Sequence, residues 1–200
     1  MPQQSFAQQL ANIGVAGTLY NTFTAAKSML TAAATTEASA GAVKVPAGYW
    51  QRGSGMLLLF HGAMSWASGN TMIASVMMGA VAVFTSAALK VTTTGGTTEP
   101  VFGLIMLTGR AQGTGTLANL MGGGFICGRG IAPAGSAAGA NYTAGMGFAM
   151  LQEATPAVGT GFDSTIDNTL DFQITMGTSS ASNGFQMLQW MPISPGNAGF

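Results

Sequence analysis

From Thr165 to Met191 the chain alternates, with Leu170, Phe172, Ile174 and Met176 on one parity and Asp171, Gln173 and Thr175 on the other. A period of two is that of a strand with one buried face. The polar run from Gly177 to Gly184 follows, and its Asn183-Gly184 step accepts positive φ. Phe185 to Trp190 then reads as the return strand of a hairpin that closes the fold. A slip of one residue would bring Leu170, Phe172 and Ile174 to the surface, so the register is strongly specified.

Strand-length apolar runs recur upstream at regular spacing. Val43 to Trp50 is a short strand stopped by Pro46 and turned at Ala47-Gly48. Met56 to His61 and Ala63 to Ala67 follow, then a turn at Ser68-Gly69-Asn70, then strands over Thr71 to Met78 and Ala80 to Leu89. After a Thr/Gly loop at 92–98, Val101 to Arg110 is a strongly apolar strand whose Phe102, Leu104, Met106 and Thr108 share a face. Gln112 to Thr116 turns the chain and Leu117 to Met121 returns it as a hairpin partner. Gly122 to Gly161 is the loosest part, with short strands expected at Gly124 to Cys127 and Met146 to Leu151. Short strands with turns every 8 to 12 residues, and no long alternating helices, predict an all-β sandwich or barrel.

The first 17 residues read as an N-terminal arm, with Phe6, Leu10 and Ile13 spaced for a short amphipathic helix. Thr18 to Leu30 stays open between a helix and an outer strand. The resulting plan is an arm over 1–17, a sandwich over 18–192 with an exposed Gly/Ala-rich loop around 129–145, and a tail over 193–200.

Composition changes this picture in one respect. Only 6% of the 200 residues are charged, and six Lys plus Arg balance six Asp plus Glu, against about 25% charged in ordinary soluble domains. A chain with 48% hydrophobic residues and no net charge lacks self-repulsion, which points to a surface largely covered by other subunits. The alternative is a monomer with a Ser, Thr, Asn and Gln surface. Lys27, Lys44, Arg52, Lys90, Arg110 and Arg129 are scattered, which argues against nucleic acid. The start has neither the basic nor the apolar region of a signal peptide. Met72 to Leu89 is an uncharged run of 18 residues, just long enough to span a bilayer. Its Ser, Thr and Ala content and the break at Gly79 speak for two strands instead.

Candidate chemistry is thin. His61 is the sole histidine and has no nucleophile or orienting acid nearby in sequence. Asp163, Asp167 and Asp171 are spaced by four, but the Gly and terminal Glu of a calcium loop are missing. Solvated loop carboxylates are the default there, and a cation site at a subunit junction is the alternative. Gly113-Thr114-Gly115 and Gly122-Gly123-Gly124 lack the Lys-Ser or Lys-Thr of a phosphate loop. Cys127 has no activating neighbour and reads as a buried structural thiol. The 14 methionines suit irregular packing, with a few facing neighbouring subunits. No catalytic, cofactor-binding or metal residue is expected, and no small-molecule substrate.

Four stretches carry a resemblance. They are Thr18 to Thr22, Val45 to Trp50, Leu107 to Arg110 with Gly113 to Thr116, and Leu170 to Ile174 with Thr178 to Asn183. Together the chain resembles jelly-roll head decoration (minor capsid) proteins of tailed bacteriophages, over about residues 18–192. It departs from the family pattern at Met176, where a Trp is typical, and at Gly109, where a Cys is usual. The resemblance implies a jelly-roll sandwich of about eight antiparallel strands, forming a homotrimer. It implies a protein assembled in the host cytoplasm that docks on the outer surface of the head and bridges major capsid proteins. Two other readings remain. One is a tail fibre, baseplate or carbohydrate-binding module exposing Tyr49, Trp50, Trp66 and Tyr142. The other is a small membrane protein using Met72 to Leu89.

Overall fold

Alternation does fold this chain: its buried parity builds two antiparallel sheets packed face to face, an all-β sandwich. The computed structural model describes residues 20–30, 43–67, 69–91, 95–132, 146–152 and 161–194. Twelve strands are found among them: β1 (Tyr20–Asn21), β2 (Lys27–Ser28), β3 (Val43–Val45), β4 (Gly55–Trp66), β5 (Thr71–Met78), β6 (Val81–Thr85), β7 (Leu89–Lys90), β8 (Gly96–Ala111), β9 (Asn119–Arg129), β10 (Met146–Gln152), β11 (Asn168–Met176) and β12 (Gly184–Ile193). Eight have five residues or more, and β1, β2, β3 and β7 are shorter. There is no helix among the described residues.

The first sheet runs β1-β12-β4-β8-β9-β10 and the second β2-β11-β5-β6, with β3 also on β11 and β7 also on β5. The core lies between them. Leu58, Phe60, Ile105, Leu107, Ile126, Leu151, Met187 and Trp190 of the first sheet meet Met72, Ala74, Val76, Met78, Phe84, Leu170, Phe172 and Ile174 of the second. Phe172 crosses this gap, 4.8 Å from the Phe60 ring and 5.6 Å from the Trp190 ring. Gly103 faces inward under the Phe60 ring, where a Cβ would overlap the ring.

Several expectations need correcting. The closing element over Thr165 to Met191 is not a hairpin. β11 pairs with β5 and β12 with β4, so the turn after Met176 carries the chain from one sheet to the other. The two strands expected over Met56 to His61 and Ala63 to Ala67 are one, Gly55–Trp66, because buried Gly62 continues the ladder opposite Val101. Lys27–Ser28 pairs with β11 and Tyr20–Asn21 with β12, so the described part of 18–30 holds two short strands and no helix. The glycines at 122–124 lie inside β9, paired with β8 and β10. Of the loop expected around 129–145, Gly130, Ile131 and Ala132 are buried, with Ile131 bridged to Val91. Residues 133–145, the arm over 1–17 and the tail beyond 194 lie outside the described residues.

Thr71 to Met78 is a strand with the predicted bounds, and the run from Met72 to Leu89 is built of strands. The single strand expected over Ala80 to Leu89, however, is two, β6 (Val81–Thr85) and the short β7, both paired with β5. Gly79 turns β5 into β6 at φ +60°, a conformation glycine adopts without cost from a Cβ. No helix of the described residues is long and apolar enough to cross a membrane.

Candidate functional site: an apolar sheet face

The two outer faces of the sandwich differ. On the second sheet, Thr169, Asp171, Gln173 and Thr175 of β11 alternate with the buried residues, beside Ser28, Lys44, Ser75 and Thr85. Ile73 and Met77 are the apolar positions of β5 on this side. Such a polar outer face is what an antiparallel sheet presents to water.

The outer face of the first sheet breaks the rule. Pairing registers place its side chains in rows across five strands. Met191, Leu59, Leu104, Phe125 and Met150 form the central row. Gln189, His61, Phe102, Cys127 and Phe148 lie on one side of it, and Ile193, Leu57, Met106, Gly123 and Gln152 on the other. No charged residue occurs in these three rows. Phe102, Met106, Phe148 and Met150 are each about half exposed, at 48%, 54%, 50% and 51%. Charge stands at the ends: Arg129 pairs with Glu99 at 3.2 Å, and Arg110 reaches the Met121 sulfur at 3.6 Å.

The face has relief. A concavity of about 300 Å³ is lined by Leu59, His61, Phe102, Leu104, Phe125 and Met191. The His61 ring stacks on Phe102, centroids 4.3 Å apart and planes 9° apart. Phe125 stacks on Phe148 at 5.2 Å. These walls are aromatic and aliphatic, and Gln189 supplies the one amide. Such a surface excludes water and accepts apolar side chains, but it aligns no nucleophile, acid or base.

The remaining candidates resolve separately. His61 belongs to this face and stands with Phe102 instead of a carboxylate. Cys127 lies in the same row, half-buried on the outer face, and is not the core thiol expected. The three aspartates do not converge, and among the described residues no group of three or more His, Cys, Asp or Glu could hold a metal ion. Asp163 accepts from the Thr165 hydroxyl at 2.6 Å and amide at 2.8 Å, and from the Gly115 amide at 2.9 Å. Asp167 accepts from Lys44 at 2.8 Å and from the Ala47 amide at 2.9 Å. Asp171 accepts from Ser28 at 2.6 Å and from Gln173 at 3.1 Å. Each fixes a different connection. The Gly113–Thr116 turn is one of those connections, held by Asp163 and Ser164.

Trp50 and Trp66 are core residues, and the Tyr49 hydroxyl is turned back to donate to the Gly55 carbonyl at 2.7 Å. They therefore form no exposed aromatic platform, and Tyr142 lies outside the described residues.

The hydrogen bond from the Thr165 hydroxyl, with the Gly115 and Thr165 amides, holds the Asp163 carboxyl below the usual carboxylate range. The Lys44 hydrogen bond and the Ala47 amide do the same for Asp167. A carboxylate depressed in the folded state adds stability that is present above its unfolded pKa, near about 3.9. That contribution is lost as pH falls through the folded value. The thermal midpoint is therefore expected to be flat above about pH 5 and to fall below about pH 4. Replacing both residues (Asp163→Asn, Asp167→Asn) should flatten that fall in a pH series of melts. An equally steep fall in the double variant would assign the acid sensitivity elsewhere.

What sequence reading missed is the face itself. Its signal lay in Met56 to Phe60 and Val101 to Leu107, where both parities are apolar and the alternation seen in β11 is missing. No family model, curated protein or solved structure matches the chain.

Proposed function

We propose that this chain is a structural, non-enzymatic subunit of a virion: a head decoration protein that binds the outer surface of a tailed-phage head and bridges neighbouring major capsid proteins. The observation that carries this reading is the uncharged, apolar five-strand face, which suits a subunit that works only when assembled. Homo-oligomerisation is part of the proposal, and the sequence resemblance implies three copies.

The strand order supports reading the sandwich as a jelly roll. Its β1-β12-β4-β8 and β2-β11-β5-β6 quartets fit the two-sheet, double Greek-key order expected of that fold. β9 and β10 would then extend the first sheet beyond the eight strands. The stretches behind the resemblance also sit at structural junctions. Asn183 and Thr178 bind each other at the crossover between sheets, and Gly109 exchanges backbone hydrogen bonds with Gly53 and Ser54.

In mechanism, a protein that binds the assembled, expanded shell and not its precursor stabilises that shell by mass action. Symmetry multiplies weak contacts into avidity. The test is cosedimentation of the purified protein with expanded heads and with unexpanded precursors, both lacking it, followed by microscopy of labelled virions. Binding to expanded heads with label over the facets is expected. Failure to bind either particle, or label confined to the tail, would overturn the reading.

A further inference from the structure

We infer that the apolar outer face of the first sheet is covered by the same face of a second copy of this chain, across a two-fold axis. The inference stands apart from what the assembly decorates.

Extent is the first argument. Five strands at about 4.8 Å, and three rows about 6.7 Å apart, span roughly 500 Å² before side-chain relief is counted. That lies at the upper end of the roughly 300–600 Å² patches found on monomers. It is also most of the roughly 800 Å² that each partner brings to a stable interface.

Charge is the second argument, and it selects the occupant. A face that meets itself sets like groups close together about the axis, and any charge there would oppose its own kind. These three rows contain none, and the chain has no net charge to hold copies apart. A face evolved for a different protein has no such constraint.

Shape is the third. The hollow lies toward β12, β4 and β8, while Phe148 and Met150 project from β10 on the opposite half. With the axis parallel to β8, the projecting half of each copy lies over the hollow half of the other. This is an isologous contact, made twice. Two halves of one continuous face cannot both engage neighbours around a three-fold axis, so this contact builds pairs. If the resemblance's trimer also forms, the product is a pair of trimers.

Gly123 allows a clean test. It lies in an outer row of this face, and a Cβ there would meet only the Leu151 carbonyl, at 3.9 Å. Gly123→Lys should therefore fold while placing a cation on the face. Met106→Lys, at an exposed position, repeats the test, and Thr169→Lys on the polar face is the control. Native mass spectrometry and light scattering should give an even number of copies for the wild type and the control. Both face variants should fall to half that mass with unchanged circular dichroism. A monomeric or trimeric wild type would overturn the proposal and leave the face to a capsid or other partner. Folded variants that keep the wild-type mass would overturn it equally.

Discussion

Replacing Phe172 with alanine is expected to cost about 3–5 kcal/mol, the range for deleting a buried aromatic side chain. The residue is fully buried on β11, and its ring is one of the contacts that join the second sheet to the first. Phe60 on β4 and Trp190 on β12 lie on the other side of the core at 4.8 Å and 5.6 Å. Removing the ring opens a cavity between two sheets whose backbones are held by their own ladders, so little collapse can fill it. Against a typical total of about 5–15 kcal/mol, the loss would leave the fold marginal. Phe172→Leu retains apolar volume and should cost clearly less. Denaturant midpoints at one protein concentration measure both, since self-association would shift them by mass action. A loss below about 1 kcal/mol for Phe172→Ala would mean that the inter-sheet core rests elsewhere.

That core was legible because burial and alternation are the same information. Leu170, Phe172, Ile174 and Met176 are inward as their parity predicts. Parity says which residues are buried but not which strand lies alongside, so β11 and β12 read as a hairpin although they pair with β5 and β4. The connection between them is seven residues, Gly177 to Asn183, ample to cross the roughly 10 Å between packed sheets. Glycine misled in the opposite direction. Gly122 reads as a turn or tight packing, yet it is a strand position where a Cβ would press on the Phe84 ring. The apolar face was half visible. Phe102, Leu104 and Met106 share a face as their parity predicts, but the same parity does not say whether that face is turned to the core or to the outside. The structure decides it by placing Ile105 and Leu107 inward and their neighbours in the open.

The crossover after β11 carries the second large effect. Asn183 is fully buried, and its side chain makes three hydrogen bonds. Its carbonyl accepts from the Ala67 amide at 2.6 Å, and its amide donates to the Thr178 carbonyl at 2.9 Å and hydroxyl at 3.0 Å. Thr178 in turn donates from its amide and its hydroxyl to Asn70, at 3.0 and 3.1 Å. Two of the crossings between sheets, β4 to β5 and β11 to β12, are thus tied by a pair of buried amides around one threonine. Asn183→Ala orphans the Ala67 amide and the Thr178 carbonyl. Thr178 is exposed, so water can reach its carbonyl, and the expected loss is about 1–3 kcal/mol, chiefly for the Ala67 amide. Asn183→Asp keeps the acceptor for Ala67 but turns a buried charge toward the Thr178 carbonyl, so it should be no better tolerated. Because Asn70 and Asn183 share Thr178, their alanine variants should be non-additive, with a coupling of about 0.5–3 kcal/mol in a double-mutant cycle. Additive losses, or a single-variant loss below about 1 kcal/mol, would show that the crossover is held by its backbone hydrogen bonds, such as Gly177 to Thr71, and not by the amide pair.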